Sequence, residues 1–283
     1  MKLFKKIAII GVGLIGGSIG LAIKKRKLAG EVAGVFRRTS TMRRALKCKA
    51  VDLATLDIEA GVRGADLVVI ATPVSLIPKT LKRITPFLKS GAIVTDVGSV
   101  KGWVVKECED LIRKSNISFV GSHPMAGSER TGVENARPDI FKDSIVFVTK
   151  TEDTDPAALK KVVTFWKALN SSPEVMSPNR HDMYVAQISH HPHLVAFSLA
   201  GSVPMAALKF TGSGFKDTTR IAASDADLWA DILVRNKKAV LKSVSSFKKF
   251  YSAVLKALKR GDERQISKLL LSAKLRRELI RHE

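Results

Sequence analysis

The apolar run at residues 7–10 opens directly into Gly11-Val12-Gly13-Leu14-Ile15-Gly16, and no other stretch limits the fold as strongly. A short buried strand ending in GxGxxG must turn tightly and start a helix at once. Gly11 permits the turn, Gly13 lets a ligand approach the backbone, and Gly16 lets helix pack on strand. With Leu14 and Ile15 between them, these glycines predict a helix whose amino terminus faces a pyrophosphate. A dinucleotide cradle of this kind implies an open parallel sheet with its binding loops along the carboxyl edge.

The following residues agree. Apolar runs at 32–36, 67–71, 93–95, 117–120 and 145–149, with a short one near 175–176, alternate with amphipathic stretches at 15–27, 41–47, 76–87, 101–114 and 156–169. Continuous apolar runs are what strands buried on both faces require. The expected fold is therefore α/β: a Rossmann-type doubly wound parallel sheet over residues 1–177, the dinucleotide-binding domain. After Ser177-Pro178-Asn179 the pattern turns helical. Blocks at 181–208, 225–257 and 263–280 carry apolar residues at helical spacing, with Pro192 and Pro204 expected to kink or break the first. Residues 178–283 read as an all-helical domain for substrate binding and dimerisation, since helices this apolar need partners. A homodimer is the simple expectation.

Charge narrows the function. The formal excess of 22 positive charges divides nearly equally between residues 1–177, at +12, and residues 178–283, at +10. A nucleic-acid-binding tail or stripe would concentrate it, so no nucleic acid is expected as a partner. The densest part, 256–281, alternates basic residues with Leu and Ile as a solvated helix face does. Lys2, Lys5 and Lys6 ahead of the nearly uncharged stretch 7–23 imitate a signal peptide or membrane anchor. Five glycines in that stretch and the following Lys24-Lys25-Arg26-Lys27 argue for a cytoplasmic protein without membrane attachment. Two cysteines, Cys48 and Cys108, have no metal-like spacing and suit a reducing compartment.

The end of the second strand bears on the cofactor. An NAD site usually carries Asp or Glu there for the adenosine ribose. Here Phe36 is followed by Arg37-Arg38-Thr39-Ser40. Arg37, Arg38 and Ser40 could hold a 2′-phosphate, so NADP is expected, with NAD as the alternative. Thr72-Pro73, just past the strand at 67–71, completes the cofactor-binding set.

Four further segments carry chemistry: Asp96-Val97-Gly98-Ser99-Val100-Lys101, Gly121-Ser122-His123-Pro124-Met125-Ala126-Gly127, Ser189-His190-His191-Pro192-His193 and Gly214-Phe215-Lys216-Asp217-Thr218-Thr219-Arg220. The first two lie at predicted strand ends, where His123 would offer a titratable imidazole on a loop beside the cofactor. Three histidines within four residues raise the idea of a metal. Their spacing matches no common zinc pattern and Pro192 interrupts them, so no metal is expected.

In order and spacing these segments resemble the prephenate/arogenate dehydrogenase family of tyrosine biosynthesis, from the glycine loop to about Asn236. The resemblance implies oxidative decarboxylation of prephenate to 4-hydroxyphenylpyruvate with hydride transfer to NAD(P). Its alternative is arogenate (cyclohexadienyl) dehydrogenation, which forms tyrosine directly. It implies that His123 accepts the proton of the ring hydroxyl, and that Ser99 orients His123 and meets the nicotinamide. It implies that Arg220 clamps the ring carboxylate and that His193 contacts the substrate side chain, with Ser189 and His190 nearby. Glu129 would pair with Arg220 to gate the site, and Trp229 would reach a neighbouring subunit's site. Phe36-Arg37 departs from the family's usual acidic residue and puts NAD use, not the reaction, in question. Another oxidoreductase of this architecture, such as a β-hydroxyacid dehydrogenase, would need a catalytic lysine where this chain has histidines.

Overall fold

The computed structural model describes residues 2–127 and 130–280. Strands β1 (Phe4–Ile10), β2 (Ala29–Val35), β3 (Leu53–Thr55), β4 (Leu67–Ile70), β5 (Ile93–Asp96) and β6 (Ser118–Val120) form a parallel sheet in the order β3-β2-β1-β4-β5-β6. Strand order reverses across β1, whose Ile7 pairs with Val32 on one side and Leu67 on the other. The crevice at this switch is where an open α/β sheet binds ligands.

Side-chain alternation explains the two-sided core. Ile7 and Ile9 of β1 join Leu67 and Val69 of β4 in one buried cluster, and Ala8, Ile10, Val68 and Ile70 join the other. Helices α1 (Leu14–Arg26), α2 (Thr39–Lys47) and α6 (Pro156–Ala168) supply Ile19, Ala45 and Trp166 to the first face. Helices α3 (Ile58–Val62), α4 (Ile77–Ile84) and α5 (Gly102–Arg113) supply Val62, Leu81 and Val104 to the second. Burial on both faces is why these strands read as unbroken apolar runs.

The run at 145–149 does not extend the parallel sheet. It is β8 (Ile145–Thr149), the centre of a separate sheet between β7 (Ser122–Pro124) and β9 (Ser172–Met176). β7 runs antiparallel to β8, and β9 runs parallel to it through α6. His123 therefore lies in a short strand opposite Phe147, not on a loop.

Beyond β9 come α7 (Pro178–Val185), one π turn (Ala186–His190), α8 (His191–Ser202), α9 (Met205–Leu208), α10 (Ser213–Thr219), a 3₁₀ turn (Arg220–Ala223) and α11 (Ala226–Arg235). The π turn sits immediately ahead of Pro192, which has no N–H to give the preceding turn, and the widened turn absorbs that lost bond. α8 stops before Pro204, as the restricted residue ahead of proline requires.

Compactness divides the chain after Asn236, into Met1–Asn236 and Lys237–Glu283. The reason is packing: Trp229 and Ile232 of α11 lie in the core on the α4–α5 face. The carboxylate of Asp182 in α7 caps α5 by accepting from the N–H groups of Lys101 and Gly102. The second unit is a hairpin of α12 (Lys237–Lys259) and α13 (Glu263–Glu278). Gly261, at φ +64°, makes the turn, and Asp262 caps α13 through the N–H of Gln265. Among the described residues no helix is long and apolar enough to cross a membrane.

Candidate active site

The cofactor cradle is set by backbone geometry. Gly11 has φ +89°, and a Cβ there would stand 2.6 Å from the carbonyl oxygen of Ala71, just ahead of Thr72-Pro73. A Cβ at Gly16 would collide with the Gly11 carbonyl oxygen. Gly13 is different: nothing lies within 4 Å of where its Cβ would be. It caps α1 without a side-chain hydrogen bond, and the first turn through Leu14 and Ile15 carries no acidic residue. Open backbone, unbonded first-turn N–H groups and the positive end of the helix dipole fit a pyrophosphate. Gly11, Gly13, Leu14, Ile15 and Gly16 would hold it. At the tip of β2, Phe36 is buried while Arg37, Arg38 and Ser40 are exposed around the start of α2, whose first turn has no carboxylate.

His123 lies in β7, just past the carboxyl end of β6 and beside that of β5. Asp96, at the end of β5, forms a buried ion pair with Lys101, both without exposed side-chain surface. The same carboxylate accepts from the N–H of Gly98 at 2.9 Å and of Ser122 at 3.2 Å. Ser122 is held again by Thr95 at 2.8 Å and by the indole N–H of Trp166 at 3.0 Å. The strand carrying His123 is thus tied to the DVGSVK loop from below.

His123 itself is 8% exposed. Its Nδ1 lies 2.9 Å from Nε2 of His181, and Nδ1 of His181 lies 2.8 Å from the Asp182 carboxylate. Burial, then the neighbouring His181, Lys101 and His190, hold the His123 imidazole well below its ordinary range. It is a neutral ring, available as a proton acceptor.

A second pair of histidines stands beside the first. Asn236 donates to the Asp182 carbonyl at 2.9 Å and to Nδ1 of His190 at 3.0 Å. His190 is pushed down to about 4, by burial first and His181 next, against the opposing pull of the Asp182 carboxylate. Its buried Nε2 makes no well-formed hydrogen bond. His193 donates from Nδ1 to the Ser189 carbonyl at 2.9 Å and stacks on Trp229 with ring centres 3.5 Å apart. Its pKa is lowered by burial, and also by the positive charge of Arg220. Arg220, exposed at the start of its 3₁₀ turn, is thereby placed on the His193 side of the cluster.

One expectation changes. Ser99 is not hydrogen-bonded to His123; the partner of that ring is His181, because the helical unit folds its first turn against β7. Trp229 is buried within its own chain, stacked on His193 and edge-on to His190. Glu129 lies outside the described residues.

The descriptions "Prephenate dehydrogenase, nucleotide-binding domain" and "Prephenate dehydrogenase, dimerization domain" match residues 19–174 and 177–272. The chain belongs to the prephenate dehydrogenase family. A prephenate dehydrogenase of Bacillus subtilis is 37% identical over 83% of this chain, which spans 65% of that relative's length. A cyclohexadienyl dehydrogenase of Zymomonas mobilis is 34% identical over 87% of this chain and 86% of its own. A solved prephenate dehydrogenase from A. aeolicus, in complex with hydroxyphenyl propionate and NAD+, superposes with a TM-score of 0.91 at 33% identity, covering 98% of each chain.

Within this member of the prephenate dehydrogenase family, three residues stand in the site that the motifs did not mark: His181, Asp182 and Asn236. The one available signal was the adjacent His181-Asp182 pair directly after the Ser177-Pro178-Asn179 break.

Proposed function

We propose that this chain catalyses the oxidative decarboxylation of prephenate to 4-hydroxyphenylpyruvate, reducing a nicotinamide cofactor. The carrying observation is the buried neutral imidazole of His123, held at the sheet edge that also bears the glycine cradle. When bound, the nicotinamide supplies the hydride acceptor. His123 takes the proton of the ring hydroxyl as hydride leaves the same carbon. Loss of carbon dioxide then sends its electron pair through the ring to that oxygen, which takes the proton back as the ring becomes aromatic. Arg220 grips the ring carboxylate in a two-point fork that a lysine could not offer. His193, Ser189 and His190 face the side-chain end, and Ser99 the nicotinamide. The family resemblance gives Glu129 the role of partner to Arg220. Residues 178–283 form the substrate-binding and dimerisation domain of a homodimer, a reading supported by Leu241, Leu258 and Leu271, exposed on α12 and α13.

His193 favours prephenate, whose side chain carries a keto group. Arogenate is the second reading, and the Zymomonas relative's cyclohexadienyl name favours it. NADP is the proposed cofactor, because Arg37, Arg38 and Ser40 replace the carboxylate that would meet an NAD ribose. The NAD+ in the A. aeolicus complex makes NAD the competitor. Steady-state assays crossing both substrates with both cofactors test the proposal. Turnover of prephenate with NADP at the highest kcat/KM is expected, and absence of turnover with every pair would reject it.

A further inference from the structure

We propose that His181 and Asp182 are positioning residues that dictate which nitrogen of His123 carries its proton, leaving Nε2 bare as the base. The inference rests on the dehydrogenase reading for its purpose, but not for its geometry. Asp182 receives three donors: the N–H of Lys101 at 2.8 Å, the N–H of Gly102 at 2.9 Å, and His181 at 2.8 Å. A carboxylate holding two backbone N–H groups can only accept, so Nδ1 of His181 must be protonated. In a neutral imidazole the other nitrogen is then an acceptor. Nε2 of His181 faces Nδ1 of His123 at 2.9 Å, so Nδ1 of His123 is the donor. The unshared pair of His123 is left on Nε2.

Each link is fixed from outside. Asp182 is locked by the amino terminus of α5, and its own carbonyl by Asn236. His181 has no exposed side-chain surface and packs edge-on against Phe147, the residue paired with His123 in the sheet. The ring of His123 meets that of His181 at 67° with centres 5.1 Å apart, a geometry for a hydrogen bond in the plane of one ring and not for stacking. The charged groups around the chain are Lys101 and Asp96, already paired with each other. Neither offers the His123 ring an alternative partner. A tautomer fixed before substrate arrives removes a reorganisation step from proton transfer.

Two measurements test this, one of them independent of activity. Nitrogen-15 spectra of histidine-labelled protein at about pH 8, where a free imidazole is neutral, report each ring's tautomer, with His123→Asn identifying the His123 signals. His123 is expected as the Nδ1–H form; an Nε2–H form would overturn the proposal. In kinetics, His181→Leu is expected to lower kcat at least roughly 10-fold with KM for both substrates little changed. His181→Gln, whose side-chain oxygen can accept from the same Nδ1–H, is expected to recover most of that loss. Equal loss in both variants, or normal kcat in His181→Leu, would reject the positioning role. A protein with the Nδ1–H tautomer that turns over neither prephenate nor arogenate would sink the functional reading and leave the proton assignment standing.

Discussion

Lys101 places an ammonium where no solvent reaches it, and the cost of that burial is offset first by Asp96 and then by Asp182. Burial pushes its pKa down and Asp96 pulls it back. Removing one partner leaves an uncompensated buried charge, so Lys101→Met should destabilise the fold by about 3–5 kcal/mol. Denaturant unfolding checks this, and a loss under about 1 kcal/mol would show the pair to be dispensable. The histidines give a pH signature of defined sign. His190 is held at about 4 in the folded protein, against about 6.5 unfolded. The folded state therefore resists protonation: its stability is intact above about pH 6.5 and is lost as pH falls toward about 4. For His190 alone the loss is on the order of 3 kcal/mol, with His123 and His181 acting in the same direction. Thermal melts from about pH 7.5 down to about 4 should show a melting temperature that falls throughout, and His190→Asn should flatten part of the slope. His123 was legible in the sequence because its motif follows an apolar run. The pair behind it was not, because its meaning lies in a contact across 58 residues. A histidine and an aspartate at the start of a helix read locally as polar surface.

At the scale of elements, the glycine loop separates packing from binding. Gly16 has no room for a methyl group against the Gly11 carbonyl, whereas Gly13 faces open space. Gly16→Ala should lower both the melting temperature and cofactor affinity, since α1 must move off β1. Gly13→Ala should leave melting nearly unchanged and weaken cofactor binding at least roughly 10-fold, because its methyl group intrudes only on the ligand. Calorimetric titration beside thermal melts tests the contrast; equal effects at the two sites would refute the assignment. The same elements show what the sequence could convey. β1, β4 and β5 were readable because burial on both faces leaves an unbroken apolar run. β3 is three half-exposed residues on the sheet edge and β7 is Ser-His-Pro, so neither carries such a run. The block expected at 225–257 divides at Asn236, whose side chain is turned inward to Asp182 and His190. Apolar spacing continues across that break, so periodicity alone could not show it.

For the whole molecule the dominant quantity is the formal charge of +22. Residues 237–283 carry +10 of it, with 14 Lys and Arg against 4 Asp and Glu, and residues 1–236 carry the other +12, so both parts of the chain contribute a positive field. Under the proposed function both ligands are anions: a diacid and a dinucleotide. A field of this sign raises the rate at which they reach the site, and salt removes that advantage because the screening length shrinks to about 10 Å at 0.1 M. The fork of Arg220 on a carboxylate acts at contact and is screened much less. kcat/KM for prephenate should accordingly fall several-fold between about 0.02 and 0.5 M potassium chloride. kcat, which begins after capture, should change little. Arg220→Ala should lower kcat/KM at every salt concentration while keeping the same slope, since it removes the clamp and only one charge of many. A flat salt profile in the parent protein would mean that encounter is governed by the site's own groups, and that the surface charge serves some other end.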